Sequence, residues 1–592
     1  MVNNKSLDDS YTIIAALLHD VQNVHGDVFN THNLKCTCLQ VRKRLFAEGM
    51  GFLTKALPRL GKAFDKAISG NTPLDCTSLG FSSIRGTKLP RFLGEFFSRV
   101  LQPDGALLEQ PCAQCVRTIR QVLYLFYKYE LPYSDEQEQQ VIQKFVKTED
   151  DLSALHPVLQ ALEQSVANSY LSRRRPHCED PTMVQITREA KILLSNIFSS
   201  FDPRNIHPRH GPGVVATKQS PWSKYVWTNI SRNITTYYPA DAYFFASMGH
   251  VCDEQRGLQG LSDEDLPARV LLVPKDSRGP RLISCEPVDY QWVQQGLGRA
   301  IVELVEHHPD TCVKDSCPRC ALRTAVHFTN QEFNRIGALV GSLSGEYVTL
   351  DLNEASDRIS LDLVRLLYPE HVYTALSACR SSSTVLPNGS ILKLKKFAPM
   401  GSSLCFPILA LTVWAILYSA APNEDTKDGI LVYGDDVIVP KAYASNAMKH
   451  LESFGLKINR DKSCTSGLFR ESCGMDAFKG VDVTPVRLRT VWKSTPSPDV
   501  YTSWIAYANS MFDRRYYRTY DAIVGRLHSV YGSIPSQDMH LACPSLRAVP
   551  ESDKPRRKRW NKNLQKFEYH VLTSVSRTVN KDIPGWSKLL RF

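Results

Sequence analysis

The segment Gly429-Ile430-Leu431-Val432-Tyr433-Gly434-Asp435-Asp436-Val437-Ile438-Val439-Pro440 sets two adjacent carboxylates between two apolar, β-branched runs. Gly-Asp suits a two-residue hairpin turn in which glycine supplies the positive φ. Such a turn predicts Asp435 and Asp436 at an exposed tip, with Leu431, Val437 and Val439 anchoring the strands. Neighbouring carboxylates repel one another unless a cation compensates. Magnesium accepts one or two carboxylates and completes its octahedron with phosphate and water oxygens. The simpler alternative is a solvated turn, because Gly-Asp is common in turns.

A third acid stands upstream, in Gly345-Glu346-Tyr347-Val348-Thr349-Leu350-Asp351-Leu352-Asn353-Glu354-Ala355-Ser356-Asp357-Arg358-Ile359-Ser360. The pattern predicts a short strand ending near Asp351 and a helix beginning at Ser356, whose hydroxyl would cap it. Asp351 would then project from a strand end. Together with Asp435 it could bridge two divalent cations about 4 Å apart, an arrangement that activates an attacking hydroxyl and stabilises a leaving pyrophosphate. A plain strand-end polar residue is the alternative, and Asp357 reads as a capping or turn residue. Val273-Pro274-Lys275-Asp276-Ser277-Arg278-Gly279-Pro280-Arg281 places three cations in one strand-loop-strand. That is either a solvated basic hairpin or a clamp for a triphosphate, which arginine can grip bidentately and lysine as a point charge. Downstream, Lys457 and Lys462 read by themselves as surface lysines.

Elements must hold these groups, and the bulk sequence says what kind. The 592 residues exceed one compact core and predict two to four subdomains. Hydrophobic content of 43% excludes a disordered or fibrous chain. A net charge of +11 suits a polyanionic partner without proving one. Sixteen cysteines in so long a chain exclude a disulfide scaffold. Asp8 and Asp9 interrupt the N-terminus, so no secretory leader is expected. Residues 404–421 carry no charge, which raises the question of a membrane span. Pro407 and the absence of a second such run favour a helix buried on all sides. The first two hundred residues read as mostly helical, for example over 11–24 and 115–130. Residues 203–287 are irregular, 346–486 mix short strands with helices as in an α+β domain, and the rest is helical with a basic run at 554–559. Arg173-Arg174-Arg175-Pro176 reads as a linker or exposed loop.

Asp351 through Ser360, followed by Tyr433-Gly434-Asp435-Asp436, resembles the palm motifs of viral RNA-dependent RNA polymerases, most closely the replicase subunit of the leviviruses. The likeness extends over 203–486 and thins toward both ends. It implies an α+β right-hand polymerase with helix-rich terminal regions. Residues 1–200 would form a helical region contributing to finger and thumb contacts and host-factor binding, and 201–345 the fingers with interleaved palm segments. Residues 346–480 would form the palm, and 481–592 the thumb and basic C-terminal region. By the same resemblance Asp351, Asp435 and Asp436 hold two magnesium ions, with manganese as a substitute, and Asp357 senses the ribose 2′-hydroxyl. Lys275, Arg278 and Arg281 stand near the triphosphate, and Lys462, with Lys457 competing, is the candidate general acid toward pyrophosphate, in the way polymerases often use a lysine. Gly401, in Pro399-Met400-Gly401-Ser402-Ser403, gives backbone approach to template and nascent pair. Many eukaryotic-virus polymerases carry an asparagine later in the following helix, and none occurs between Ser403 and Ala421, which leaves Ser402 or Ser403 as the substitute.

The implied reaction copies a single-stranded RNA phage genome from nucleoside triphosphates without a primer, in the cytoplasm of a bacterial host. Implied partners are the host elongation factors Tu and Ts and a ribosomal RNA-binding protein. Two rivals share some of these letters. A reverse transcriptase keeps the acids but usually replaces Gly434, and a non-catalytic RNA-binding protein would have lost one of the acids. Cys312, Cys317, Cys320 and His327, with Cys112 and Cys115, fall short of paired zinc knuckles. His210-Gly211-Pro212-Gly213 lacks the ending of a phosphate loop and reads as a turn near the RNA path.

Overall fold

The computed structural model describes residues 4–171, 180–221, 223–253, 262–307, 317–536, 543–547, 558–575 and 585–591. The basic turn at 173–176, Cys312, and Lys554, Arg556 and Arg557 of the basic run lie outside these residues. Helices and small sheets are interleaved, which is the α+β class expected from the sequence. The chain divides into two compact units: Met1–Tyr133 with Pro274–Gly279 and Val481–Thr578, and Ser134–Val273 with Pro280–Gly480 and Val579–Phe592.

In the first unit, helix Asn4–Val24 contains the first stretch predicted from periodicity; the second, expected over 115–130, is a helix over Ala113–Tyr124 that stops short of Glu130. Sequence-distant segments are joined by buried polar groups. The Asp20 carboxylate accepts from Thr519 N and Oγ1 at 2.8 and 2.7 Å and from Arg518 N at 2.9 Å. It thereby satisfies amides at the start of helix Tyr517–Tyr531 and complements that helix's positive end. Arg120, 1% exposed, binds Asp65 and donates to Val483 O at 3.3 Å.

The second unit is organised around helix Cys405–Ala420, in which every residue from Pro407 to Leu417 is buried. That accounts for the uncharged run: it is apolar all round because it is packed all round, against helices Pro181–Ile197 and Ala444–Ser453 among others. Among the described residues no helix is long and apolar enough to cross a membrane. Beside it lies a three-stranded antiparallel sheet whose central strand, Asp436–Pro440, is flanked by Tyr347–Leu350 and Leu431–Tyr433. Helix Glu332–Ser344 packs on this sheet. A second sheet orders its strands Gly279–Cys285, Ala268–Asp276, Ser383–Val385 and Ile391–Lys393.

The helix predicted to begin at Ser356 is different in the structure. Ala355–Arg358 makes a single turn preceded by Glu354 at φ +48°, with no side-chain cap. The capped helix is Leu361–Leu367, where Ser360 Oγ accepts from Leu363 N at 3.0 Å. Backbone pairing of Ile359 and Leu361 with the segment Lys395–Phe397 breaks the helix between the two turns and moves the cap four residues on. This region is tied to the long helix Asp135–Leu171 by Arg358–Asp151 at 2.7 Å, His156–Asp362 at 2.5 Å, Arg365–Glu163 at 3.0 Å and the pair Lys144–Glu354. Beneath it the buried Lys396 binds Glu149 at 3.0 Å.

Candidate active site

The acidic hairpin forms, but only Asp435 is at its exposed tip; Asp436, expected there too, is half-buried as the first residue of the strand because it pairs with Tyr433. Tyr433 pairs with Asp436, leaving Gly434 and Asp435 as the two turn residues, and Gly434 takes φ +64°. A Cβ at Gly434 would also stand 2.3 Å from Phe406 Cε2, so backbone conformation and packing both require glycine. Val437 and Val439 are fully buried and Leu431 partly so. Tyr433 fixes the outer strand by donating from its hydroxyl to Phe328 O at 3.1 Å.

Register brings the third acid to the same place. The last pair between Tyr347–Leu350 and Asp436–Pro440 is Leu350 with Val437. One step further along the chain, Asp351 comes near enough to Asp436 for the two carboxylates to repel each other. The backbone at Asp351 is held on both sides. Its amide donates to Ser463 Oγ at 3.2 Å, and its carbonyl accepts from Asn459 N at 2.8 Å. Its carboxylate accepts from Asn459 Nδ2 at 2.6 Å and faces Lys462 Nζ at 3.5 Å. Lys457 instead lies exposed on a strand paired with Leu352–Asn353, so of the two lysines Lys462 is the one at the acids.

The electrostatics are those of crowded negative charge. Burial, partly offset by Lys462 and Asn459, raises the Asp351 carboxyl above its usual range. Burial and then repulsion from Asp435 and Glu471 push Asp436 up to about 7, although Cys473 N donates to its Oδ2 at 3.1 Å. Glu471 first, and Asp351 after it, hold the Lys462 ammonium protonated well above its ordinary range. Among the described residues no three His, Cys, Asp or Glu side chains stand ready-grouped around a metal position, and the Asp351 carboxylate is engaged by Asn459 and Lys462 instead. In type the donors fit a hard cation: they are carboxylate oxygens whose mutual repulsion a cation would relieve.

Half-buried Asp357 lies near Lys396, Glu149 and Glu354, and burial raises its carboxyl to about 6. Gly401 adopts φ +128°, where a Cβ would collide with Ser284 O at 2.2 Å. After it, Ser402 Oγ and Ser403 N both donate to Gln294 Oε1, at 3.1 and 3.3 Å. Gln294 is fully buried and donates in turn to Cys379 O at 2.6 Å. Ser403 Oγ is buried without a hydrogen-bond partner among the described residues. The three cations of the basic stretch differ in their surroundings. Lys275 and Arg278 belong to the first unit, where the Arg278 guanidinium is forked onto Asp276 at 2.7 and 3.0 Å, whereas Arg281 lies exposed on a strand of the second.

Asn459, Glu471 and Gln294 were not singled out from sequence. Asn459 lies in the stretch that drew attention to Lys462, but its role depends on a strand pairing 108 residues away. Gln294 sits in helix Val288–Glu306, with no motif around it to mark a partner loop more than a hundred residues on. His327, a zinc candidate, instead stacks on Phe333 at 3.9 Å and contacts Thr324 O at 3.2 Å. His210 stands among Tyr225, Trp227 and Trp292, with ring centroids 4.8–5.6 Å away.

A strand and an acidic hairpin thus bring carboxylates from separate segments to one end of a small antiparallel sheet backed by helices. The family model described as RNA replicase, beta-chain, matches residues 180–566, and the chain belongs to that family. It is 33% identical over 222 residues to the RNA-directed RNA polymerase subunit beta of Qbeta virus (strain MX1), covering 37% of this chain and 35% of that protein. With the corresponding subunit of Enterobacteria phage SP it shares 35% over 222 residues, covering 37% and 36%. With the RNA-directed RNA polymerase beta chain of Escherichia phage MS2 it shares 30% over 220 residues, covering 37% of each. The matched region thus spans little more than a third of these relatives' length. Among solved structures, the Sicinivirus 3Dpol RNA dependent RNA polymerase aligns with a TM-score of 0.35 at 15% identity, covering 57% of this chain and 80% of that one. A likeness at that score decides nothing about activity.

Proposed function

We propose that this protein is an RNA-directed RNA polymerase that copies a single-stranded RNA genome from nucleoside triphosphates without a primer. The observation that carries this reading is the register of Leu350 with Val437, which sets Asp351 beside the Asp435-Asp436 turn. Asp351, Asp435 and Asp436 would hold two magnesium ions, which when bound make an attacking hydroxyl more nucleophilic and neutralise charge on the leaving pyrophosphate. Lys462, kept protonated by Glu471 and Asp351, is placed to give a proton to that pyrophosphate. Asp357 reads the ribose 2′-hydroxyl, and the loop Gly401-Ser402-Ser403 approaches the template and nascent pair. The cations Lys275, Arg278 and Arg281 are the candidates for binding triphosphate oxygens. Most of the catalysis is then positioning and electrostatics.

The family's phage members support a bacterial cytoplasm as the site of action, and host elongation factors Tu and Ts with a ribosomal RNA-binding protein as partners. The test is incorporation of labelled ribonucleotides by the purified chain on a single-stranded RNA, with magnesium or manganese, with and without host lysate. We expect unprimed synthesis that lysate increases, and at least a hundredfold loss in Asp435→Asn. Undiminished incorporation by that variant would overturn the reading, and incorporation of deoxyribonucleotides in preference to ribonucleotides would replace it with reverse transcription.

A further inference from the structure

The hairpin formed by strands Lys558–Asn561 and Lys566–Tyr569 is a two-stranded sheet of its own. Trp560 and Phe567 are directly opposed across it, with ring centroids 4.9 Å apart at 67°, yet they remain 50% and 53% exposed. A cross-strand aromatic pair normally covers a core; this one leaves about half of two large rings in solvent. The turn adds Lys562 and the start of the second strand adds Lys566, both exposed. Arg559 is neutralised by Glu568 at 2.7 Å on the strand opposite. Over residues 554–570 the sequence carries seven Lys or Arg against one Glu, so this short stretch supplies +6 of the chain's +11. The hairpin is anchored just beyond its second strand, where Tyr501 Oη donates to Leu572 O at 3.1 Å.

Exposed rings set among cations define a recognisable chemistry. Bases offer π faces that stack on aromatic side chains whatever their sequence, while lysines neutralise the intervening phosphates. Double-stranded RNA buries its base faces and would leave the rings unused. A lipid surface would meet the cations, but two rings on a twisted hairpin give it little apolar depth. We propose that the Trp560–Phe567 hairpin is an auxiliary binding site for single-stranded RNA, separate in chain and in chemistry from the acidic site. Its preference for RNA follows from the polymerase reading; its affinity for an unpaired strand does not depend on catalysis.

The test is binding of a fluorescent, unstructured oligoribonucleotide to the full chain, without nucleotides or divalent cations, across a salt series. Trp560→Ala and Phe567→Ala are each expected to weaken binding on the order of tenfold. Trp560→Phe should restore most of it, separating lost stacking from a lost hairpin. Lys562→Gln with Lys566→Gln, both at exposed positions, should flatten the salt dependence by about 0.7 per lysine. Unchanged affinity in the two alanine variants and in the double glutamine variant would overturn the proposal. So would loss of binding to anionic vesicles with RNA binding intact, which would assign the surface to lipid. Should the polymerase reading alone be wrong, the wild-type chain would incorporate no nucleotide while hairpin-dependent binding persisted.

Discussion

At the scale of single residues, three positions test how the site's charges and loops are held. Lys462 is the one ammonium within ion-pair distance of Asp351 among the described residues, and Lys462→Met removes the proton donor while keeping the stem's bulk. The expected result is a fall in kcat on the order of a hundredfold with KM for nucleotide little changed, read by steady-state incorporation. The same substitution at Lys457, exposed on its strand, should leave both constants within about twofold. Gln294 makes a different case. Gln294→Leu strips the acceptor from Ser402 and Ser403 and the donor from Cys379 O, all within the buried core. We expect a rise in nucleotide KM of roughly tenfold and a stability loss of about 1–3 kcal/mol, measured together by incorporation and urea unfolding. An unchanged KM would mean that the carboxamide serves the core and not the loop.

At the scale of elements, the acidic hairpin depends on a backbone state that few residues adopt. Gly434→Ala would need φ near +64° and would press its Cβ against Phe406. The left-handed conformation alone costs about 1–3 kcal/mol. Phe406 can move only by disturbing its edge contact with Tyr433 at 5.0 Å. Urea unfolding should register that loss, and incorporation should fall further than the folded fraction does, because the turn itself presents Asp435. Equal losses would show that the turn's geometry contributes stability and no more.

At the scale of the whole molecule, pH couples to a histidine far in sequence from the acids. Both ring nitrogens of His210 are buried among Tyr225, Trp227 and Trp292, and burial, with the nearby Lys224 ammonium, lowers its pKa to about 3. Lys224 is itself drawn inward, donating to Gly211 O at 2.9 Å and to Gly213 O. In the unfolded chain the imidazole takes up a proton near pH 6.5, whereas in the fold it stays neutral until about pH 3. The unfolded state therefore binds more protons between those values, and stability falls as pH drops through them. The slope should approach roughly 1 kcal/mol per pH unit from this residue. Thermal unfolding of the wild type between pH 7 and 5 should be steeper than that of His210→Phe, and parallel curves would remove His210 as the cause.

The local chemistry was legible in the letters. Gly434-Asp435 between apolar runs specified the hairpin because a tight turn needs a positive φ that glycine supplies freely, and the uncharged run 404–421 specified a buried helix because nothing in it could face water. The order of motifs also carried the family. Tertiary structure alone decided which groups meet: Asp351 with Asp436 through strand register, Asn459 and Lys462 with Asp351, Gln294 with Ser402, and Arg278 with its own Asp276. It also moved the helix cap from Ser356 to Ser360, since pairing with Lys395–Phe397 outweighed a local capping preference. Turn and burial preferences act over a few neighbouring residues and can be read from them. Contacts between segments a hundred residues apart depend on how the whole core packs, which no short stretch of sequence encodes.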